Sequence, residues 1–497
     1  MKDSLKLQAE IYPAGKSHLP QGQSKMQNLA NVVLKDTFIY GISRYLSLLA
    51  ALFLTPIYTR ILSKADYGVM DIYNIWIAMF LAIIPLGLMN GLLRFYPDVE
   101  KQVRERKKLI SSILFTLLGI SALFIIIAII GKSFFIESIV GDKSFSGIYQ
   151  YAVIIVALSV VHSFNLELLR IKMLKKKFLI VSITNFILLS LLGFALVYFY
   201  NSGIIGFFQA SVFALVVSCL IGLYFNAGEI TLSYDLRKTI EIIAYSSHFL
   251  SVFFFFHSTN LIDRYLITNL LNLDLNGIYA IGLKISGLLN FIIAAFSMAW
   301  MPYVFRIKDE ANARQLFSKM FDNYLKFGGL LIFFIALFRQ EFIAFFAPTY
   351  ESAYHLISIM LIYFFVMGLT NVFTIGIQIS KKTRFLTYSA IISIACNIFI
   401  SIILVKKIGI EGIAIGSLCG AVVWIAIQHF FAQREYQIPF RYFKNGIIFL
   451  LLILAIVGLE FVDISSPAYK VIIMLVCVIL TSFNYLNSWR HNRNSNL

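Results

Sequence analysis

Fourteen long apolar stretches dominate this sequence, and each is long enough to cross a bilayer, which takes about 20 mostly apolar residues. The 497-residue chain is 59% hydrophobic and only 13% charged, a composition that soluble domains do not show. We therefore predict an all-α, polytopic membrane protein. The predicted spans are residues 37–58, 72–94, 109–131, 149–169, 178–200, 203–225, 243–263, 277–304, 321–338, 353–378, 386–405, 411–431, 445–462 and 469–487.

Positive charge alternates in the gaps between these spans. The N-terminal tail, every second gap after it and the C-terminal tail together hold 29 of the 42 Lys and Arg residues. Cytoplasmic loops carry such an excess, so both termini are predicted to be cytoplasmic. An even number of spans also requires the two termini to lie on the same side of the membrane. The net charge of +17 then reflects topology and contact with anionic membrane lipids, and we expect no nucleic-acid partner.

Two places where a span leaves the membrane on the predicted outer side resemble each other. The first is Tyr58–Leu62 followed by Asp66–Val69, and the second is Ile262–Leu266 followed by Leu275–Tyr279. Each has an Arg at the exit, an Asp nearby and a Gly at the start of the next helix. Six spans separate them, which favours two six-helix bundles related by an axis along the membrane normal. The alternative is a chance similarity of two amphipathic helix ends.

This repeat divides the chain into four predicted parts. Residues 1–35 are polar and are predicted to form a disordered cytoplasmic tail. Residues 36–235 would form the N-terminal six-helix lobe and residues 236–440 the C-terminal six-helix lobe. Residues 441–497 would supply helices 13 and 14, an appended pair, and a cytoplasmic tail.

The sequence offers no catalytic site. It has no Walker A pattern, no HExxH and no Cys/His cluster, so we predict that the protein is not an enzyme and holds no metal or cofactor. Any transport would then be driven by a gradient or by metabolism, and coupling to H⁺ or Na⁺ remains open.

Several motifs resemble one known family. They are Thr55–Gly68, Gly91–Tyr96, Gly277–Ala280 with Lys284, and Trp300–Pro302. Together they resemble polysaccharide repeat-unit flippases (Wzx-type, the O-antigen and capsule transporters). These belong to the multidrug/oligosaccharidyl-lipid/polysaccharide exporter (MOP) superfamily, which also includes the MATE antiporters and the lipid II flippases.

The resemblance implies a V-shaped, two-lobed, MATE-like transporter in the bacterial cytoplasmic (inner) membrane. It would move undecaprenyl-pyrophosphate-linked oligosaccharide from the cytoplasmic to the outer leaflet for O-antigen, capsule or exopolysaccharide synthesis. Its partners would be that glycan, membrane lipids, a polysaccharide polymerase and chain-length machinery. A lipid II flippase and a cation-coupled MATE-type exporter are the alternatives, although the exporter should hold deep acidic residues. A membrane-embedded glycan polymerase is more distant, because the outer loops are short.

Basic residues within or at the ends of spans are the candidate substrate contacts. A charge at the centre of a span costs about 2.5–3.5 kcal/mol against lipid, so a deep cation should face water, a counter-ion or an anionic substrate. A row of such cations would suit a pyrophosphate. The candidates are Arg44, Lys284, Arg94, Lys326, Arg60 and Arg264.

Some of these have simpler explanations. Arg94 and Lys326 can extend to the cytoplasmic interface, and Arg60 and Arg264 can be interfacial anchors. Asp263 can neutralise an Arg instead of touching substrate.

Polar side chains on the spans are predicted to support the site by hydrogen-bonding sugar hydroxyls, or else to join helices to each other. They are Tyr40, Ser47, Thr55, Asp263, Ser251, Asn371 and Gln378. Two sets of glycines are predicted to allow close helix packing. The first is Gly87 and Gly91, which lie beside a predicted kink at Pro85, and the second is Gly412, Gly416 and Gly420.

Overall fold

The structure is a computed structural model, and it describes residues 54–139, 145–246, 250–380, 382, 384–462 and 466–478. Throughout these ranges the secondary structure is helical, without a strand. The all-α prediction is therefore confirmed. The predicted tail and most of the first span fall outside the described residues, which begin in a helix at 54–61 that we call α1.

Seven further helices follow in the first half of the chain. They are α2 Lys64–Ile83, α3 Leu88–Val99, α4 Val103–Ile130, α5 Lys132–Ile139, α6 Ser146–Ile171, α7 Lys175–Phe194 and α8 Gly203–Asn226. A π-helical turn, Ala195–Phe199, extends α7, and a 3₁₀ turn, Ala227–Glu229, extends α8.

The second half holds more helices, because several spans are broken. They are α9 Leu236–Ser246, α10 Leu250–Leu270, α11 Leu273–Ser286, α12 Leu288–Ile307, α13 Ala313–Asn323, α14 Gly329–Leu337, α15 Arg339–Phe346, α16 Tyr354–Gly368, α17 Thr370–Phe373, α18 Ile375–Ser380, α19 Arg384–Ile408, α20 Ile410–Glu435, α21 Tyr442–Gly458 and α22 Pro467–Val478. A π-helical turn, Tyr324–Gly328, joins α13 to α14, and a 3₁₀ turn, Pro348–Ala353, precedes α16.

Within the described residues, nine helical segments are long and apolar enough to cross a membrane, and α21 and α22 are shorter apolar helices. These correspond to eleven of the predicted spans. Of the other three, span 1 lies mostly outside the described residues, span 7 includes the undescribed residues 247–249, and span 8 is divided at Gly287. The chain is thus a multi-pass membrane protein.

Two spans begin earlier than predicted, because polar residues cap their helices. The Ser63 side chain accepts a hydrogen bond from the Asp66 amide at 3.0 Å, so α2 begins at Lys64 instead of residue 72. Asn272 caps Leu275 in the same way at 2.9 Å, so α11 begins at Leu273 instead of residue 277. Hydropathy finds the membrane core of a helix, whereas capping residues set its true end.

The predicted kink beside Pro85 is confirmed. The chain leaves the helix between α2 and α3, where Leu86 has φ 48° and Gly87 has φ 69°. A Cβ on Gly87 would lie 2.6 Å from the Ser246 carbonyl oxygen, and one on Gly91 would lie 2.7 Å from the Ser246 hydroxyl. The prediction of close packing is also confirmed, and α3 packs on α9.

The glycines of span 12 likewise pack closely, as predicted. A Cβ on Gly412 would lie 2.6 Å from the Leu404 backbone, and one on Gly420 would lie 3.0 Å from the Ser393 carbonyl oxygen. These glycines let α20 run directly against α19.

Helices α21 and α22 attach to the rest of the second half through a polar cluster. Buried Arg339 donates to the Leu459 carbonyl at 2.8 Å and lies 3.4 Å from the Glu460 carboxylate. Lys470 pairs with Glu341 at 2.7 Å. Both contacts join the segment between spans 9 and 10 to the facing ends of α21 and α22, and these chain segments are predicted to lie on the outer side. We call this end of the bundle the predicted outer end.

Candidate functional site

The two glycines that the repeat places in equivalent positions meet in space. A Cβ on Gly68 of α2 would lie 2.8 Å from the Gly277 nitrogen of α11, and a Cβ on Gly277 would collide with the Lys64 carbonyl. The two helices therefore touch backbone to backbone. The motif that suggested an internal repeat thus marks where the two halves of the molecule join at the predicted outer end.

Gly277→Val is expected to be poorly tolerated, because its side chain would overlap the backbone of α2 at Lys64. Gly446→Val provides a matched control. Gly446 is also the fifth residue of its helix, and among the described residues no heavy atom lies within 4 Å of the place that a Cβ would occupy there. Thermal unfolding of the purified variants should show a clear loss of stability for Gly277→Val alone. Equal stability of the two variants would contradict this close contact.

Lys284 lies across the same junction. Its ammonium group donates to the Tyr67 hydroxyl at 2.7 Å and lies 5.2 Å from the centre of that ring. Lys284 is half-buried, and within the described part of the chain it pairs with no carboxylate. Lys284 is therefore a cation between the two halves whose hydrogen-bond partner among the described residues is neutral.

Arg264 also spans the junction, but its charge is compensated. Its Nε and terminal nitrogen lie 2.9 and 2.8 Å from the Asp71 carboxylate. The guanidinium stacks on Tyr279 with its carbon 4.9 Å from the ring centre, and the residue is 3% exposed. Arg264 and Asp71 thus form a buried ion pair that holds α10 to α2.

Asp263 makes its hydrogen bonds to neutral side chains and not to its neighbour Arg264. Its carboxylate accepts hydrogen bonds from Tyr279 at 2.9 Å, Asn397 at 3.1 Å and Ser417 at 2.6 Å. All three donors belong to the second half of the chain, so Asp263 ties α10 to α11, α19 and α20. The predicted span boundaries place Asp263 at a membrane edge, whereas the fold buries it and leaves only 3% of the residue exposed.

Arg60 helps to close the predicted outer end. One guanidinium nitrogen donates to the Pro56 carbonyl at 2.6 Å and the other to the Phe345 carbonyl at 3.1 Å. Beside it the Thr59 hydroxyl donates to the Phe346 carbonyl at 2.7 Å. The end of α1 is therefore fastened to α15, and Arg60 itself is exposed.

The remaining described cations lie apart from this junction. Arg94 is exposed on α3 and pairs with Asp98 one turn further on, at 3.2 Å. Lys326 is half-buried in the π-helical turn Tyr324–Gly328. The structure thus brings Lys284, Arg264 and Arg60 to one end of the bundle and leaves these two elsewhere. Arg44, Tyr40 and Ser47 fall outside the described residues, as does the Ser251 side chain.

The other supporting polar residues that are described form hydrogen bonds with residues three or four positions away in the chain. Thr55 is buried and its carbonyl accepts from Thr59 at 2.9 Å. The Asn371 side chain donates to the Gly368 carbonyl at 3.1 Å, and the Gln378 side chain donates to the Thr374 hydroxyl at 2.9 Å.

Sequence reasoning missed two residues of the junction. Tyr67 carries no charge, and nothing in its spacing marks it as the partner of a lysine 217 residues away. Asp71 stood just before the predicted start of span 2. The signal that could have found it is the Ser63 cap, which moves the helix start outward and places Asp71 two turns inside α2.

The described residues form an all-helical bundle whose two halves meet at Gly68 and Gly277, with Lys284 at their junction. Solved structures of membrane transporters and flippases share this fold. The lipid II flippase MurJ in its inward closed conformation matches with a TM-score of 0.69 at 14% identity, over 92% of this chain and 99% of that one. An inward-facing MATE multidrug resistance transporter of the MOP superfamily gives 0.65 at 13%, over 82% and 95%. An outward-facing MATE structure gives 0.56 at 14%, over 84% and 96%.

The sequence itself matches the model of one family, described as polysaccharide biosynthesis protein, over residues 33–308. This is more than half of the chain, so the chain belongs to that family. No curated protein sequence matches it. The predicted all-helical, MATE-like fold agrees with these comparisons.

Proposed function

We propose that this protein is a flippase that moves undecaprenyl-pyrophosphate-linked oligosaccharide repeat units from the cytoplasmic to the outer leaflet. The observation that carries the proposal is Lys284, a half-buried cation at the junction of the two halves that donates to a neutral hydroxyl. Membership of a polysaccharide biosynthesis family supports the glycan part of the substrate.

A pyrophosphate cannot cross hydrocarbon unaided, because an isolated ion loses its hydration there at a prohibitive cost. Lys284 can compensate that loss, since leaving Tyr67 breaks only a hydrogen bond to a neutral group. Arg264 is less suited to this role, because binding substrate would strip Asp71 of its partner. We therefore propose that Lys284 makes the first contact with the phosphate and that Arg264 helps to close the predicted outer end.

The same contacts suggest how transport would proceed by alternating access. Opening the predicted outer end requires Lys284 to leave Tyr67, Arg264 to leave Asp71, and Arg60 to leave the Phe345 carbonyl. A phosphate that draws Lys284 away removes one of these contacts and so favours the open state. A ligand shifts the equilibrium between the closed and open states only if it binds one of them more tightly. Here the phosphate would bind the open state more tightly, because Lys284 is then free of Tyr67.

Deleting the gene is expected to leave lipid-linked repeat units on the inner leaflet. The measurement is leaflet-resolved labelling of the glycan, in intact spheroplasts and after permeabilisation. Build-up of single units on the outer leaflet would instead indicate a polymerase and contradict the proposal. Loss of lipid II on the outer leaflet, with normal surface glycan, would identify a lipid II flippase. Re-expression of the wild-type gene is the control.

A further inference from the structure

A second basic cavity lies away from the junction, at the opposite end of the second half. It has a volume of about 750 Å³, which is within the range of small-molecule sites. It lies between the first turn of α13, the last turns of α20 and the start of α21. Its lining residues are Arg314, Ala426, His429, Phe430, Gln433, Arg434, Gln437 and Tyr442.

The charge of this cavity has one sign. Two of the lining residues are arginines and none is acidic. In the part of the chain that the structure describes, neither Arg314 nor Arg434 forms an ion pair with a carboxylate. Each is stacked on an aromatic ring, with the guanidinium carbon of Arg314 4.9 Å from the centre of Tyr436 and that of Arg434 4.2 Å from the centre of Phe430. Stacking orients a guanidinium while leaving its N–H groups free to bind an anion.

The rim of the cavity is partly apolar and lies at helix ends. Phe430 is 53% exposed and Tyr442 is 55% exposed. Arg434 belongs to the last turn of α20 and Tyr442 is the first residue of α21, two of the apolar helices. Cationic groups next to exposed rings at the ends of membrane helices match a lipid with its headgroup at the interface and its chains in the bilayer.

The first half of the chain has a cavity at the equivalent position, between the start of the third span and the segment after the sixth. It is about 580 Å³ and contains Arg104, Lys107 and Lys108. There, however, Lys108 pairs with Asp235 at 2.9 Å, and the hydrogen bond from Lys108 lowers the pKa of Asp235, which keeps that carboxylate charged. Glu105 lines the same cavity. The repeat thus has one cavity whose cations are partly compensated by Glu105 and Asp235 and one whose described lining has no acid, a difference that points to an anionic ligand in the second.

We propose that the cavity around Arg314 and Arg434 binds the phosphate headgroup of a membrane lipid at the predicted cytoplasmic surface. Basic pockets between helices on this side of a membrane suit anionic headgroups, and guanidinium groups bind phosphate through paired N–H donors. Two lipids share this chemistry, an anionic phospholipid of the leaflet and the pyrophosphate-linked carrier of the proposed function. The site is separate from Lys284, so it stands even if the flippase assignment fails.

The test is lipid binding to the full-length protein, measured by native mass spectrometry as phosphatidylglycerol or phosphatidylcholine is added. Replacing both Arg314 and Arg434 with alanine should weaken phosphatidylglycerol binding about tenfold or more and leave phosphatidylcholine binding unchanged. Replacing Arg104 and Lys107 with alanine in the compensated cavity is the matched control and should have a much smaller effect. The double Arg→Lys variant keeps the charge but loses the paired N–H donors, so it should bind more weakly than the wild type and more tightly than the alanine variant, which separates loss of charge from loss of fold.

Competition with undecaprenyl pyrophosphate identifies the source of the phosphate. If it displaces phosphatidylglycerol from the wild-type protein at about a tenth of the concentration or less, the cavity receives the carrier lipid; otherwise it holds phospholipid. Phosphatidylglycerol binding that is the same in the Arg314/Arg434 alanine variant as in the wild type overturns the proposal.

Discussion

Replacing Lys284 with alanine is expected to reduce surface glycan to about a tenth of the wild-type amount or less. A hydrogen bond to a charged group contributes about 1.5–3 kcal/mol, and every 1.4 kcal/mol is a factor of about ten. Among the candidate cations whose side chains the structure describes, Lys284 is half-buried at the junction and pairs with no described carboxylate, so Lys284→Ala removes the ammonium group proposed to contact the phosphate. Immunoblotting of surface glycan, normalised to the amount of protein in the membrane, is the measurement.

The controls separate loss of charge from loss of fold. Lys284→Arg keeps the charge and should retain part of the export. Lys101→Ala removes an exposed lysine from the loop before α4 and should export normally. Normal export by Lys284→Ala would reject the role given to Lys284. If a Tyr67→Phe variant exports well while Lys284→Ala does not, the lysine acts on substrate and is not merely a packing partner of the tyrosine.

Replacing Asp71 with alanine is expected to destabilise the protein by about 3 kcal/mol, because removing one partner of a buried pair leaves the other charge uncompensated. Arg264 has a side chain only 4% exposed and would lose its ion-pair partner in the junction. Thermal unfolding of the detergent-purified protein measures the effect. The double variant Asp71→Ala/Arg264→Met should recover much of the loss.

Asp98→Ala is the matched control for this pair. Asp98 also pairs with an arginine, but the two side chains are 57% and 56% exposed, and exposed pairs contribute about 0–1 kcal/mol. Its unfolding temperature should therefore stay close to that of the wild type. If Asp71→Ala were no less stable than Asp98→Ala, the Arg264–Asp71 contact would not hold the two halves together.

Much of the fold could be predicted because the bilayer leaves few choices. Long apolar segments and alternating basic gaps define the spans, and nearly all of those that the structure describes are helices at the expected places. The errors lie at the polar ends. Hydropathy starts span 2 at residue 72, although Ser63 caps its helix, and this error hid Asp71 among the loop residues.

The candidate site was harder to predict, because it depends on contacts between distant parts of the chain. Arg264 and Asp71 are 193 residues apart, and no local pattern specifies such a pair. The sequence predicts Arg264 at the outer mouth and Lys284 two turns inside span 8, but it does not show that Arg264 pairs with Asp71 while Lys284 pairs with no described carboxylate. The glycine repeat was more informative, because two equivalent helix starts can meet where they lie next to an axis that relates the halves, and glycines allow that contact.

Both helices that meet at this junction are interrupted further along their length. The first is broken after Ile83, with Leu86 and Gly87 in left-handed conformations, and the second is divided at Gly287. An interrupted helix bends at its break more easily than a continuous one. The inner segments can therefore change direction at these two breaks while the outer segments stay in contact, and the junction contacts need to break only when the predicted outer end opens.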